Sequence, residues 1–192
     1  KYIIKHQNYK STNFTVPSDF SSLALLLSSA VLLGDELEIE ISMGDMPQAD
    51  EAIIDILEIL GVVVTLEKNT IKIKSPEKLT GGDFDLSNSP DLLPAIAILS
   101  LKSAKPIKIF NVKHARYKET DRIAIIANEL AKLGINVTEN DDGLILKPAK
   151  KLVGATLCSE NDHRLFMAFC IAGMYVGDCS ITDPESVDIS YP

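Results

Sequence analysis

Tryptophan is absent from the chain, and aromatic residues make up only 6% of it. A surface of stacked aromatics for nucleic acid is therefore poorly supplied. The formal net charge of −8 also has the wrong sign for a phosphate backbone or an anionic bilayer. Cysteine is scarce and odd in number: Cys158, Cys170 and Cys179 form no disulfide framework and lack metal-ligand spacing, which suits a reducing cytoplasm. No run approaches the ~18 uninterrupted apolar residues of a membrane helix. The most apolar stretch, Leu23 to Leu33, carries Ser28 and Ser29 and reads as a buried helix. A signal peptide is not evident: the chain opens Lys1-Tyr2-Ile3-Ile4-Lys5, which reads as the middle of a strand, and both ends read as cut points.

What is present is a chain of 192 residues, 46% hydrophobic, long enough for one domain with a substantial core. It repeats itself. Leu60-Gly61-Val62-Val63-Val64-Thr65, followed by Ile71-Lys72-Ile73-Lys74, superimposes on Leu133-Gly134-Ile135-Asn136-Val137-Thr138 and Leu144-Ile145-Leu146-Lys147 at a shift of 73. Asp19, Asp91 and Asp162, spaced by 72 and 71, each open an apolar helix. Each copy reads helix, strand, helix, strand, strand: 20–33, 36–42, 49–60, 62–67 and 70–74, then 91–102, 106–112, 120–133, 135–139 and 143–147. Gly61 and Gly134 stand where a helix ends on a left-handed residue. Lys68-Asn69-Thr70 and Asp141-Asp142-Gly143 read as hairpin turns.

The expected fold class is α/β (α+β): one domain of about three βαβαββ repeats with pseudo-threefold symmetry, helices inside and sheets outside. The inside position follows because the first helix of each copy is apolar nearly all round. The copies run approximately 12–84, 85–155 and 156–192. The third stops after a strand at Cys179 to Thr182 and needs completion from elsewhere in a parent chain.

A repeat separates scaffold from site, because what recurs is packing and what appears once is a candidate for chemistry. Arg116, Arg122 and Arg164 are the only arginines, and they lie with His114 and His163 in two short segments. The first is His114-Ala115-Arg116-Tyr117-Lys118-Glu119-Thr120-Asp121-Arg122; its counterpart, Met43-Gly44-Asp45-Met46-Pro47-Gln48, has no positive charge. The second is Glu160-Asn161-Asp162-His163-Arg164. Arginine suits a bidentate grip on carboxylate or phosphate. If equivalent helices face one end, Asp91 and both segments converge in a basic pocket for a small phosphorylated or carboxylated ligand, beside helix N-termini that favour anions. Taken singly, Asp91 reads as a helix cap, Lys118-Glu119-Thr120-Asp121 as a solvated helix start capped by Thr120, and His163 as a partner for a carboxylate.

Lys118-Glu119-Thr120-Asp121-Arg122 and Asn161-Asp162-His163-Arg164 resemble the two signature motifs of EPSP synthases. Ser89-Pro90-Asp91, Asp19-Phe20-Ser21-Ser22 and Asp183-Pro184-Glu185-Ser186 resemble further segments of that family, in the same order. The resemblance implies transfer of an enolpyruvyl group from phosphoenolpyruvate to the 5-hydroxyl of shikimate 3-phosphate, in the shikimate pathway of aromatic amino-acid biosynthesis. Phosphate is released through a tetrahedral addition intermediate, with no cofactor and no metal. It implies Asp91 as the base at the shikimate hydroxyl, and His114 and Lys118 as contacts to shikimate 3-phosphate, Lys118 also near the reacting centre. Glu119 handles the proton at the methylene carbon, Arg122 and Arg164 hold the carboxylate and phosphate of phosphoenolpyruvate, and His163 lies beside them. His114 stands where the family alternates between His and Asn.

Relatives carry a phosphoenolpyruvate-binding lysine where this chain has Ile189. A second domain, which supplies further substrate contacts, is expected to be missing, so the isolated chain is expected to be inactive and its parent to be a cytoplasmic monomer. Three other readings compete: an enolpyruvyl transferase acting on a UDP-amino sugar, a non-catalytic repeat domain binding a phosphorylated partner, and a cyclase acting on RNA ends. The acidic charge and scarce aromatics speak against the last.

Overall fold

A computed structural model describes residues 2–42 and 47–190; Met43 to Met46 of the uncharged counterpart segment lie outside the described residues. The first group of elements comprises α1 (Phe20–Leu33), β1 (Glu36–Glu40), α2 (Ala52–Ile59), β2 (Val63–Glu67) and β3 (Thr70–Lys74). The second comprises β4 (Gly82–Asp85), α3 (Leu93–Leu99), β5 (Ile107–Phe110), α4 (Arg122–Lys132), β6 (Asn136–Asn140) and β7 (Gly143–Lys147). The third has β8 (Thr156–Leu157), α5 (His163–Val176) and β9 (Ser180–Ile181).

The second group is a full βαβαββ unit. Its sheet has the order β4-β5-β7-β6, with β4 parallel to β5 and the other neighbours antiparallel. The first group forms an antiparallel sheet β1-β3-β2, and the third a parallel pair β8-β9. β4 straddles the boundary expected between residues 84 and 85 and joins the second group by pairing with β5. The strand expected at the opening of the chain is not there: Tyr2 to Lys5 take no strand pairing and their side chains are exposed. Three consecutive large side chains with no neighbouring strand have nothing to alternate against.

Helices α1, α3 and α5 pack on one another, and each faces its own sheet, which gives the expected layering with helices inside. Every residue of α3 is buried. An unbroken apolar surface of this kind is stable only between other elements. The expected helix 91–102 is divided into a 3-10 turn at Pro90–Leu92, the α-helix, and a second 3-10 turn at Ser100–Lys102. Gly61 and Gly134 take φ of +89° and +97°, the left-handed stops read from sequence. Both two-residue hairpins close as expected, at Glu67↔Thr70 and Asn140↔Gly143.

One backbone approach is close enough to test. A Cβ on Gly143 would lie 2.0 Å from the carbonyl oxygen of Ile109, on the strand that β7 pairs with. Gly143→Ala must push β7 off β5, and a loss of about 1–3 kcal/mol is expected, read as a lower denaturation midpoint in urea.

Candidate active site

The three aspartates of the repeat stand at the N-terminal ends of the three inner helices, and two of them do the same work. Asp19 accepts the backbone N–H groups of Ser21 and Ser22 at 3.0 and 3.3 Å. Asp162 accepts those of Arg164 and Leu165 at 3.0 and 3.3 Å. Asp91 departs from the pattern and from the cap that it suggests when taken singly. It lies inside the 3-10 turn Pro90–Leu92, which has no side-chain cap, and its carboxylate turns to Arg122 and Lys118. The duplicated position supplies the place, and the cationic neighbours draw the side chain away from the backbone.

Arg122 organises what surrounds it. Its side chain is 0% exposed, with Nε donating to Asp162 Oδ2 at 2.7 Å, Nη1 to Asp91 Oδ1 at 2.8 Å and Nη2 to Glu119 Oε2 at 2.6 Å. A second bond from Nη2 reaches Asp162 Oδ1 at 3.3 Å. Burial opposes the charge of Arg122, but Asp162, Glu119 and Asp91 outweigh it and hold the guanidinium above its ordinary pKa. The planar fork explains why arginine stands here: its five donors, spread over three nitrogens, reach three separate carboxylates from one buried side chain.

The remaining cations are less committed. Lys118 Nζ is 3.3 Å from Asp91 Oδ1, and Arg164 Nε is 4.0 Å from the same oxygen. Among the described residues the Arg164 guanidinium makes no hydrogen bond, so its donors are open to an anion. His163 is buried, and its Nδ1 has no hydrogen-bond partner among the described residues. His114 is exposed on the 3-10 turn Lys113–Tyr117 and takes no part in this network. Ile189 is exposed as well.

Two readings change. Arg116 is a structural clasp: it donates to both oxygens of Asp121, to Glu139, and to the carbonyls of Asn140 and Asp141, tying the β6–β7 hairpin tip to the start of α4. The cap of α4 is Asp121, which accepts from Ala124 N–H, while Thr120 donates to Asp162 Oδ2 at 3.2 Å instead. Asp121 caps the helix and holds Arg116 with one carboxylate.

The pocket is also not strongly basic. Lys118, Arg122 and Arg164 face Asp91, Glu119 and Asp162, and two further acids lie close by. Asp19 is held below its ordinary pKa: burial works against this, and Ser22, Ser21 and Arg164 outweigh it. Asp50, in the 3-10 turn Ala49–Glu51 before α2, has its pKa raised by burial and by Asp91 and Asp19, although Ser21 Oγ donates to it. Asp50 and the second role of Asp162 were not read from sequence. An acid in the first turn of a helix is ordinary, and nothing in its spacing marks a tertiary partner.

Burial also works against the charge of Asp91, and Arg164, Lys118 and Arg122 outweigh it, holding the carboxyl below its ordinary value of 3.8. A depressed folded pKa means that this stabilisation is complete above the ordinary value and is lost as pH falls through the folded one. The acid limb of stability below about pH 4 is therefore expected to be less steep in Asp91→Asn, as measured by urea midpoints across pH.

Chemically, the cluster offers an ionised carboxylate with a lysine on it, a half-exposed second carboxylate in Glu119, and the Arg164 guanidinium 4.0 Å from Asp91. These are groups for moving protons beside a bound anion. Among the described residues no group of three or more His, Cys, Asp or Glu side chains is arranged for a metal ion, and no helix is long and apolar enough to cross a membrane.

Comparison with known proteins places the geometry. The family model for EPSP synthase (3-phosphoshikimate 1-carboxyvinyltransferase) matches residues 2–192. A 3-phosphoshikimate 1-carboxyvinyltransferase of Nitrosopumilus maritimus is 67% identical over 192 residues, all of this chain and 46% of that protein. One from Methanococcus vannielii is 40% identical over 97% of this chain and 44% of its own length. The chain thus spans a little under half the length of these relatives. Among solved structures, EPSP synthase from Acinetobacter baumannii superimposes with a TM-score of 0.82 at 28% identity, covering 94% of this chain and 45% of that one. The enolpyruvyl transferase NikO from Streptomyces tendae shares the fold, with a TM-score of 0.70 at 20% identity over 90% of this chain and 40% of that one. By the family match along nearly its whole length, and with both motif segments gathered around Arg122, the chain belongs to the EPSP synthase family.

Proposed function

We propose that this chain is one domain of an enzyme that transfers the enolpyruvyl group of phosphoenolpyruvate to the 5-hydroxyl of shikimate 3-phosphate, releasing phosphate. The observation that carries the reading is Asp91: it stands where the other two copies have a helix cap, and it is turned toward Lys118 and Arg122 instead. In the proposed sequence Asp91 takes the hydroxyl proton as that oxygen attacks the central carbon of phosphoenolpyruvate, while Glu119, acting first as the acid, gives a proton to the methylene carbon; Asp91 later returns its proton to the departing phosphate. Glu119 then removes a proton from the resulting methyl group as phosphate departs, restoring the carbon–carbon double bond. Lys118 and His114 contact shikimate 3-phosphate.

Arg164, with His163 beside it, receives the phosphoenolpyruvate anion. Arg122, whose donors are largely taken, acts on that anion by exchanging a carboxylate partner. A balanced local charge leaves the excess positive charge that two anionic substrates need to the other half of the longer protein. The copies are proposed at about 12–84, 85–155 and 156–192, with the second domain and the completion of the third copy supplied outside them. The apolar groove between α1 and α5, lined by Leu25, Leu26, Phe166 and Met174, with a volume of about 310 Å³, supports such a cover. We take the whole protein to be a cytoplasmic monomer, in keeping with its three free cysteines, with neither nucleic acid nor membrane as partner.

The test is phosphate release by the complete polypeptide given the two substrates together and separately. Release that requires both supports the reading. Release only with a UDP-amino sugar as acceptor moves the chain to the neighbouring specificity, and none in folded protein leaves the phosphorylated-partner reading.

A further inference from the structure

We propose that Asp183 is a positioning residue for the α5 side of the site, an inference that rests on the function proposed for that site. Asp183 is in the left-handed region at φ 60° and ψ 49°, directly before Pro184. A residue before proline is steered toward extended backbone, and aspartate enters the left-handed region occasionally, where its side chain makes local hydrogen bonds. Glu160 and Asn161, with φ of 52° and 61°, are also left-handed, three of six such non-glycine residues among the described ones counting Asp183. The loop that holds them meets Asp183 at one carboxylate oxygen. Asp183 Oδ2 accepts the Thr182 hydroxyl at 2.8 Å and the Ser159 hydroxyl at 3.3 Å, and the Cys158 thiol lies at 3.7 Å. The Thr182 hydroxyl, followed against the effect of burial by Asn161, Ser159 and Cys158, holds the carboxyl below its ordinary pKa.

The strained loop leads straight into the site. Asp162, the next residue, donates its N–H to Ser159 O at 2.9 Å, caps α5 and holds Arg122 Nε. His163 and Arg164 follow it. The sheet beneath is short: β8 and β9 pair only Thr156 with Ser180 and Leu157 with Ile181. So small a ladder cannot fix the direction in which residues 158–161 leave it. Glu129 Oε2 holds the Cys158 N–H at 2.9 Å on one side of the turn, and the Asp183 carboxylate holds Ser159 on the other; through Asp162 it sets where the guanidinium of Arg164 points. Strain of this kind persists where surrounding contacts over-determine it, and it collects beside functional groups.

The experiment compares full-length wild type, Asp183→Ala and Asp183→Asn by steady-state kinetics and by hydrogen exchange read by mass spectrometry. Asp183→Ala is expected to raise KM for phosphoenolpyruvate about tenfold or more, since small misplacements of a positioning group are costly. KM for shikimate 3-phosphate stays within about twofold, because its contacts lie on another segment. Exchange quickens in peptides covering 158–166 and stays unchanged over β5 and β7. Asp183→Asn, which tolerates the left-handed backbone and keeps an acceptor oxygen, recovers most of both. Unchanged exchange at 158–166, exchange raised throughout the molecule, or both KM values moving together each overturns the inference. A wild type that does not turn over the substrates defeats the proposed function instead, and the local exchange pattern alone then decides the role of Asp183.

Discussion

Arg122→Ala is expected to be the most damaging single substitution in the chain, costing about 3–5 kcal/mol. The removed side chain is wholly buried, and so is its partner Asp162. Alanine leaves that carboxylate without a counter-ion in a site closed to water, while Glu119 and Asp91 lose the cation between them. Breaking one side of a buried pair costs more than the pair contributes, because the stranded charge keeps its desolvation penalty. For a domain of this size the loss corresponds to a fall in Tm on the order of 10 °C, measurable by calorimetry of the full-length protein. Arg122→Lys retains a charge but reaches fewer of the three carboxylates, so it is expected to fall between. A melting point within about 2 °C of wild type for the alanine variant would show that water or a rearranged lysine reaches Asp162 and that the cluster is not sealed.

Asp91→Asn is expected to have the opposite profile, with large catalytic and small structural effects. The amide is nearly isosteric and keeps an oxygen for Arg122 Nη1, so the frame survives. What disappears is the ability to accept a proton, and a loss of about 10²–10⁴ in kcat is the usual scale for removing a general base. Substrate binding is expected to persist, since Lys118 gains freedom when its anionic partner goes. Rapid quench of phosphate release over a range of pH separates the two effects. An Asp91→Asn enzyme with kcat within a few-fold of wild type would remove Asp91 from the proton path and shift attention to Glu119.

The two arginines with the strongest sequence signal therefore have different characters, and that difference was not legible in the sequence. Arg122 and Arg164 both sit in short polar segments at a helix start. Only the fold brings Asp162, forty positions away, onto Arg122 Nε while leaving Arg164 open. What local chemistry controls was legible. The span of α1, the left-handed stops at Gly61 and Gly134, both hairpin turns and the convergence of three helix starts follow from periodicity and capping residues. β4 and β8 were not placed, because each is too short for alternation to declare itself: Gly82–Asp85 points one apolar side chain, Phe84, into the core. Taken singly, Asp91 could not be told from a cap, because the signature of a helix start is the same whether or not the carboxylate stays with its own backbone.

The way Arg122 is held also affects how binding energy is distributed. Side chains that must be immobilised when a ligand arrives cost about 0.5–1.5 kcal/mol each in lost rotamer freedom. Arg122, Asp162 and Asp91 are already held by mutual contacts. That entropy was spent during folding, which leaves Arg164 and Lys118 as the groups that must lose freedom when the anion arrives. Titration calorimetry of the whole enzyme should accordingly show a smaller entropic penalty than a site with this many charged side chains would suggest.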